Sequence, residues 1–368
     1  MKIMHILSSA ASGGAEIYVR DLAIEMSKLR HAIFLVFIDR AEETGRSLEF
    51  EEEFLELLKI NGIGYVFIGQ ASRKNPLIGI FAVRKAFKEW QPDIIHTHLY
   101  YAAIFSLFAP RCKIIYTHHN IKIGAPEFIY HLLDIRVSSY IGICQACTNL
   151  LRSLTRKNVH RIDNGVSGRR VKVKDTYENS SPVKLVFVGT LSAQKNLNLL
   201  FHALSELAEL DFQLCIAGEG AKREELELLT LELGLSDKVT FLGNVLNIKE
   251  LLYASDIFVM SSAWEGLPIA QIEATMTGLP VIVTNVGGCA EIVNQVQNGI
   301  VVDGNVHNYA VALRSLIQDY EYRKVLHLNA IKWSSQYGIA SSVNAHLVVY
   351  QSLLENDEHS HYNSTGNV

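Results

Sequence analysis

One stretch decides how this chain is read: residues 264–274 spell WEGLPIAQIEA, and residues 278–284 continue with GLPVIVT. The apolar runs at 257–261 and 281–284 predict two short buried strands on either side of a helix. Pro268 suits the first position of that helix, and Gly278, with a proline two residues later, ends it. Alternating strands and helices of this kind build parallel sheets.

Two glutamates fall at informative places in this stretch. Glu265 lies in the loop before the helix, and Glu273 lies about a turn and a half inside it. Carboxylates accept hydrogen bonds and repel phosphates, so they suit the hydroxyls of a sugar or ribose. The backbone N–H groups of Gly266 and Leu267 lie near the positive end of the helix, where an anion is favoured. Spacing alone leaves an alternative open, in which Glu265 caps the helix and Glu273 is a solvated surface residue.

Length and composition limit the classes of protein to consider. The chain has 368 residues, of which 49% are hydrophobic, so we expect two domains with sizeable cores. The formal net charge is −4, which gives no reason to expect a nucleic-acid partner. Five cysteines, an odd number in a long chain, favour a reducing compartment and hence a cytoplasmic location. No run approaches the roughly 18–20 apolar residues of a membrane-spanning helix.

Strand-length apolar runs alternate with helix-length segments along most of the sequence, which predicts parallel sheets covered by helices. The pattern breaks at residues 158–182, which are rich in turn-forming and basic residues, and we place the interdomain linker there. We therefore expect an N-terminal domain at 1–165, a second domain at 166–340, a last helix at 341–355 and a disordered tail at 356–368.

The central stretch, together with Gly287, Gly288 and Glu291 further on, resembles the Glu-x7-Glu signature of retaining GT-B glycosyltransferases, family 4 in particular. The resemblance implies an α/β fold with two Rossmann-like domains whose parallel sheets face a central cleft. It also implies that the C-terminal helix crosses back to the N-terminal domain. In that family the matching residues bind the donor, with Glu265 the catalytic glutamate on the sugar and Glu273 on the ribose. The donor-binding residues beside them would be Gly266, Leu267 and Pro268.

A glycine-rich loop follows the first strand, with Gly13, Gly14 and Glu16 at the start of the first helix. Glycines let the backbone approach a ligand, and a helix start offers free N–H groups to a phosphate. The sequence is not GxGxxG, so a dinucleotide site is disfavoured. The loop resembles the family's N-terminal loop, which implies that Gly13 and Gly14 face the donor diphosphate and that Glu16 lies on the acceptor side. A plain turn is the alternative.

A second strand–loop–helix carries Lys195 close to a helix start, where it can neutralise a phosphate. The family has an arginine and a lysine on the leaving diphosphate, but this chain has Thr190 at the arginine position. The departure leaves one of the two cations missing, although the Thr190 hydroxyl can still donate a hydrogen bond. Gly218 and Glu219 resemble the family's turn beside the nucleotide base. For Lys195 an ordinary surface lysine is the alternative.

Histidines end two predicted strands: His96 and His98 at one, and His119 followed by Asn120 at the other. His119 matches a family histidine near the transferred sugar, where a neutral imidazole could bond a hydroxyl. His96, His98 and Asn120 are expected on the acceptor side. A satisfied core position is the alternative for His96, and also for His118 beside His119. No metal-binding helix spacing is present, and the resemblance implies that the chemistry needs no bound metal and no cofactor.

The residues and the resemblance together predict a retaining glycosyltransferase. It would move a hexosyl or N-acetylhexosaminyl group from a nucleotide diphosphate sugar, with UDP favoured, to a glycan or lipid-linked acceptor of a surface polysaccharide such as O-antigen, capsule or exopolysaccharide. Basic residues accompany the apolar segment at 76–90, which is compatible with peripheral association at the membrane or with a solvated helix face. The alternatives are a GT-B epimerase or phosphorylase, or a catalytically weak partner in a glycan-synthesis complex.

Overall fold

The computed structural model describes residues 1–109 and 112–364, with side chains described as far as Glu355. The chain forms two compact units. The first comprises Met1–Gly165 and the segment from Ile339 onward, and the second comprises Val166–Gly338. Both are parallel α/β units, which confirms the predicted fold class.

The first unit is built on a parallel sheet of seven strands in the order β3-β2-β1-β4-β5-β6-β7. The central strands are almost entirely buried and rich in isoleucine, as is typical of a sheet covered on both faces. The strands are β1 Lys2–Ser9, β2 Ala32–Asp39, β3 Gly64–Phe67, β4 Ile94–Thr97, β5 Lys113–His118, β6 Val137–Gly142 and β7 Val159–Arg161.

Helices connect these strands, and the last helix of the chain belongs to the same unit. Tyr18 in the first helix shares a 2.5 Å hydrogen bond with Ser342 in the last helix. Tyr350, two turns further along, is buried against β4. The connecting helices are α1 Gly14–Lys28, α2 Leu48–Ile60, α3 Ala71–Lys74, α4 Pro76–Trp90, α5 Tyr100–Ser106, α6 Glu127–Leu133 and α7 Gln145–Leu154.

The second unit has a parallel sheet of six strands in the order β10-β9-β8-β11-β12-β13. Its strands are β8 Val183–Val188, β9 Phe212–Ala217, β10 Val239–Gly243, β11 Ile257–Met260, β12 Val281–Thr284 and β13 Gly299–Val302. Its helices are α8 Leu197–Ser205, α9 Arg223–Glu232, α10 Ile248–Tyr253, α11 Ile269–Thr277, α12 Gly288–Val296, α13 Val306–Gln318 and α14 Tyr320–Trp333, and the chain then enters α15, Ile339–Ser364, of the first unit.

Three details differ from the sequence-based expectations. Pro268 is the N-cap of α11 rather than its first helical residue, with φ −74° and ψ 121°. Strand β7 lies inside the stretch expected to be a linker, because it pairs with the edge of the first sheet. Helix α15 continues to Ser364 instead of ending at residue 355, since no glycine or proline interrupts the polar sequence that follows. Residues 365–368, the end of the predicted tail, lie outside the described residues.

Candidate active site

The second unit places its signature loop beside the loop that carries Lys195. Strand β8 has β9 on one side and β11 on the other, so the loops after β8 and β11 leave the sheet where the strand order reverses. Open parallel sheets bind ligands at this point, outside the carboxyl ends of the strands. The loop after β8 carries Thr190 and Lys195, and the loop after β11 carries Glu265, Gly266 and Leu267.

Glu265 is held by three side chains. Its Oε1 accepts hydrogen bonds from Lys195 Nζ at 2.5 Å and from Ser262 Oγ at 2.7 Å. Its Oε2 accepts a hydrogen bond from Gln194 Nε2 at 3.2 Å. Glu265 as a whole is 5% exposed. A buried charge needs an opposite charge and good hydrogen bonds, and Glu265 has both.

Backbone contacts fix these two loops to each other. Ala263 N donates to Gln194 O at 2.8 Å, and Ser261 Oγ donates to the carbonyls of Lys195 and Asn196 at 3.1 and 3.0 Å. Asn196 is the N-cap of α8 and adopts a left-handed conformation, with φ 47°. The lysine and the glutamate therefore sit on braced backbone, as a site that must hold charges in fixed positions requires.

Glycine is required at two close backbone approaches beside this pair. Gly218, with φ +143°, lies against the carbonyl of Gly189, and a Cβ would collide with that oxygen. Gly287, with φ +49°, packs in the same way against the carbonyl of Glu265. The amide of the next residue, Gly288, donates to Gly266 O at 2.7 Å. The turn that contains Gly218 and the later Gly-Gly pair thus support the two loops from outside.

Glu219 follows Gly218 in the turn expected near the nucleotide base. Its carbonyl accepts a 3.0 Å hydrogen bond from Leu191 N, which ties the turn to the loop after β8. Its carboxylate is paired with Arg223. The turn therefore presents no uncompensated negative charge.

Glu273 lies in α11 and is only 2% exposed. Its Oε1 accepts a 2.5 Å hydrogen bond from Arg170 Nε, and the terminal nitrogen of the same guanidinium lies 2.5 Å away. Arg170 belongs to a short 3-10 helix in the stretch expected to be a linker. The structure thus gives the second signature carboxylate a cationic partner that sequence reasoning missed.

In the first unit, histidines gather on the three adjacent strands β1, β4 and β5, with one in the middle of β1 and the others at the ends of β4 and β5. His96 is fully buried, and both of its ring nitrogens share 2.6 Å hydrogen bonds, one with Tyr350 OH and one with Thr117 Oγ1. These bonds commit His96 to joining β4 with β5 and α15. The geometry therefore does not support an acceptor-side role for this residue.

His98 and His119 lie in a hydrogen-bonded series with a third histidine, His5. Nδ1 of His5 lies 3.1 Å from Nε2 of His98, and Nδ1 of His98 lies 3.0 Å from Nε2 of His119. His346 of α15 packs beside them, with its ring 5.5 Å from that of His96. Sequence reasoning missed His5 and His346, because only the strand order and the return of α15 bring them here.

Burial keeps these imidazoles neutral at ordinary pH. It lowers the pKa of His5 to about 3 and that of His346 to about 4. Burial also lowers the pKa of His98 and His119, and neighbouring histidines lower both further. His5, His96 and His98 have ring nitrogens within 4.8 Å of one another, a spacing that invites a metal. Most of those nitrogens are already committed to hydrogen bonds.

The remaining predicted residues of the first unit lie near the start of α1 and the end of β5. Gly13 is the N-cap of α1 and Gly14 its first residue. The Glu16 carboxylate folds back over Gly13, accepts a hydrogen bond from Ser8 Oγ and lies 3.8 Å from Arg46. Asn120 Oδ1 accepts a 3.1 Å hydrogen bond from Lys122 N.

Two family models cover most of the chain between them. The model described as Glycosyltransferase Family 4 matches residues 12–170, and the model described as Glycosyl transferases group 1 matches residues 169–333. The chain belongs to the group 1, family 4 glycosyltransferases. The family signature therefore coincides with the braced Lys195–Glu265 pair.

Two curated relatives of this glycosyltransferase match over most of their length. It is 28% identical over 349 residues, 90% of this chain and 92% of the relative, to an alpha-1,4-N-acetyl-D-galactosaminyltransferase of Campylobacter jejuni named for a PP-undecaprenol-linked glycan. It is 26% identical over 312 residues, 77% of this chain and 79% of the relative, to the putative glycosyltransferase EpsF of Bacillus subtilis.

A solved structure shares the GT-B fold of this glycosyltransferase. The Anabaena protein HepE, crystallised with UDP-glucose, superposes with a TM-score of 0.79 at 21% identity, over 96% of this chain and all of HepE.

Among the residues that our structure describes, none of the helices combines the length and the apolar character that a membrane span requires.

One departure from the family pattern persists in the structure. Thr190 is exposed at the start of the loop after β8, where the family has an arginine. The cations that the second unit places on its signature carboxylates are Lys195 and Arg170. The predicted residues Gly266, Leu267 and Pro268 follow Glu265 directly and lead into α11.

Proposed function

We propose that this glycosyltransferase moves a sugar from a UDP-sugar, with retention of anomeric configuration, to a hydroxyl of a lipid-linked glycan in surface-polysaccharide synthesis. The observation that carries the proposal is the Lys195–Glu265 pair, 2.5 Å apart on two loops at the point where the strand order reverses. It combines a cation for a phosphate with a carboxylate for sugar hydroxyls.

The cation and the nearby helix starts would stabilise the departing diphosphate. Charge develops on the leaving oxygen in the transition state, and preorganised positive groups lower the barrier most when they are already in place. Lys195 is preorganised by Glu265, and donor binding would draw the lysine from the carboxylate towards the phosphate. Glu265 would then accept hydrogen bonds from the sugar.

Glu273 would bind the ribose hydroxyls, oriented by Arg170. A carboxylate fixed by a guanidinium is a directed acceptor, and two adjacent hydroxyls are suitable donors for it. HepE was crystallised with UDP-glucose, which supports a uridine nucleotide as the donor. A hexosyl or N-acetylhexosaminyl group would be transferred, and the Campylobacter jejuni relative is named for the second kind.

The acceptor proposal rests on that relative's name and on one helix face. Leu77 and Phe81 in α4 are 61% and 70% exposed, and Arg84 and Lys88 continue the same face of the helix. Apolar side chains beside basic ones suit an anionic lipid surface. We expect flotation with anionic vesicles, weakened by Phe81→Asp. A cytoplasmic location stays a prediction.

We further propose that no bound metal or cofactor is required. Apart from His5 Nε2, the imidazole nitrogens that could hold a metal are engaged with each other, Tyr350 and Thr117. The leaving diphosphate has protein cations available instead. Turnover is therefore expected to survive treatment with a chelator.

The test is a transfer assay with a panel of nucleotide sugars and a polyprenyl-diphosphate-linked sugar acceptor. We expect UDP release that depends on the acceptor, and NMR of the product should show the donor's anomeric configuration. Release of free sugar or its epimer without acceptor would favour the epimerase or phosphorylase alternative. Donor binding with background turnover would favour a catalytically weak partner, and Thr190 would be the first residue to test.

A further inference from the structure

Three histidines of the first unit form one continuous hydrogen-bonded chain. His5 Nδ1 lies 3.1 Å from His98 Nε2, and His98 Nδ1 lies 3.0 Å from His119 Nε2. Each link joins the Nδ1 of one ring to the Nε2 of the next. The two end nitrogens, His5 Nε2 and His119 Nδ1, are buried and make no hydrogen bond within the described residues.

The number of protons in this chain is fixed by its geometry. An N–H···N bond needs one protonated and one bare nitrogen, and a neutral imidazole carries a single N–H. Three neutral rings therefore carry three protons, and the two links use one each. The third proton must lie on one of the two end nitrogens.

The direction of the links is also restricted. His98 is the middle ring, and when neutral it can donate to only one neighbour, so it must accept from the other. The three rings are then either all protonated at Nδ1, with the end proton on His119, or all protonated at Nε2, with the end proton on His5. If the three rings did not share one tautomer, one of the two N···N contacts would hold no proton or would hold two.

The surroundings keep the three hydrogen-bonded histidines neutral, and the other nearby histidines bond elsewhere. His5 and His98 are buried, and desolvation lowers the pKa of both rings. His346 is outside the chain because its Nδ1 lies 2.8 Å from the carbonyl of Ser342, which fixes Nδ1 as its protonated nitrogen. His96 is engaged with two hydroxyls, and Tyr18 packs edge-on against His119 with ring centroids 6.3 Å apart.

We propose that His5 and His98 are positioning residues that set the tautomer of His119. In one state of the chain His119 offers an N–H at Nδ1, and in the other it offers a lone pair at the same atom. The ring therefore changes from donor to acceptor without acquiring charge. That His119 uses this atom on a sugar hydroxyl rests on the proposed function; the coupling of the three tautomers does not.

The direct test is NMR of the protein with 15N-labelled histidine, since nitrogen shifts distinguish Nδ1–H, Nε2–H and charged imidazole. At neutral pH we expect His5, His98 and His119 to report one common tautomer, or one common ratio of tautomers. If His5 and His119 differ in tautomer, or if any of the three rings is charged, the proposal is overturned. This result is obtained without substrate and is independent of sugar transfer.

Variants distinguish coupling within the His5–His98–His119 chain from the effects of neighbouring residues. His98→Leu should make the tautomers of His5 and His119 independent of each other, whereas His118→Gln should leave the two tautomers matched. His118 is an apt control because it is buried next to His119 in sequence but bonds to Tyr116 OH outside the chain. If His98→Leu does not fold, His5→Phe tests the same coupling between the two rings that remain.

The functional test measures kcat and KM separately in each variant. His98→Leu and His5→Phe should each lower kcat about tenfold, the effect of one misdirected hydrogen bond, with the KM for the donor little changed. Matched tautomers without any transfer activity would overturn the proposed function alone. Matched tautomers with unchanged kcat in both variants would overturn the positioning role.

Discussion

Around their central strands, the two units bury different chemistry. The second unit holds the carboxylates Glu265 and Glu273, each paired with a cation. The first unit holds imidazoles that burial keeps neutral, joined to each other and to hydroxyls. Both units share the parallel α/β plan, so the difference comes from the side chains that each sequence places around it.

This difference separates two tasks of a glycosyl transfer. In the proposed function, a diphosphate leaving group carries charge and needs fixed cations, which the second unit would supply. Hydroxyl groups need neutral donors and acceptors, and a charged imidazole in a dry site would cost free energy. The contrast also implies different sensitivities to pH and to substitution, and these can be measured.

The largest expected effect is acid destabilisation of the first unit. His5 and His346 have folded-state pKa values of about 3 and about 4, below the ordinary 6.5. Below pH 6.5 the unfolded chain takes up protons that the folded chain does not, so stability falls as pH drops towards those values. Each such histidine contributes up to about 1.4 kcal/mol per pH unit.

Hydrogen exchange between pH 7 and pH 4.5 would check this prediction unit by unit. Protection in Met1–Gly165 should fall more steeply than protection in Val166–Gly338. His346→Phe should flatten the dependence, whereas replacement of the exposed His131 by Gln should not. Equal loss of protection in both units would contradict the predicted difference in acid sensitivity.

Glu265→Gln is expected to lower turnover by about 10²- to 10³-fold, the usual loss for a directed electrostatic contact. Glutamine keeps the shape and can still bond Ser262, so the fold should be retained. Turnover assays with circular dichroism would check both expectations. Near-normal turnover would refute the role assigned to this carboxylate, and Glu232→Gln, an exposed helix position, is the control.

Glu273→Gln should act on nucleotide binding more than on chemistry. We expect a KM about tenfold higher with kcat little changed, because one charge-assisted hydrogen bond to the ribose is weakened. The wild type should prefer UDP to 2′-deoxy-UDP, and the variant should narrow that ratio. If calorimetry gives the same ratio of UDP to 2′-deoxy-UDP affinity in the variant as in the wild type, Glu273 does not bind the ribose.

The smallest expected effect comes from restoring the missing cation. Thr190→Arg should tighten UDP binding about two- to fivefold, since an exposed ion pair contributes at most about 1 kcal/mol. Thr190→Gln adds length without charge and should leave the affinity unchanged. If the arginine variant binds no better, Lys195 and the helix starts already satisfy the diphosphate.

The strands of both units could be predicted from sequence because buried parallel strands read as continuous apolar runs. All six strands of the second unit fall where those runs occur. Strand β7 was missed because it has only three residues, none fully buried, in a basic stretch. The extension of α15 was missed because its polar residues give no hydrophobic period to follow.

The site could be predicted only as separate motifs. Lys195 and Glu265 are 70 residues apart, and nothing in either motif indicates that their loops leave adjacent strands. Arg170 lay in a stretch read as linker, so its contact with Glu273 could not be foreseen. The chain from His5 to His119 depends on β4 lying between β1 and β5, a fact of strand order that local patterns do not encode.

The central claim is that the Lys195–Glu265 pair forms a nucleotide-sugar site, and a thermal-shift comparison tests it most directly. Wild type and Lys195→Met would be melted with UDP, other nucleoside diphosphates and their sugars. At about 100 times its dissociation constant, a ligand of the native state adds about 2.7 kcal/mol. We predict that uridine nucleotides stabilise the wild type and that the variant loses most of this gain. No stabilisation by any nucleotide, or an equal gain in the variant, would contradict the account.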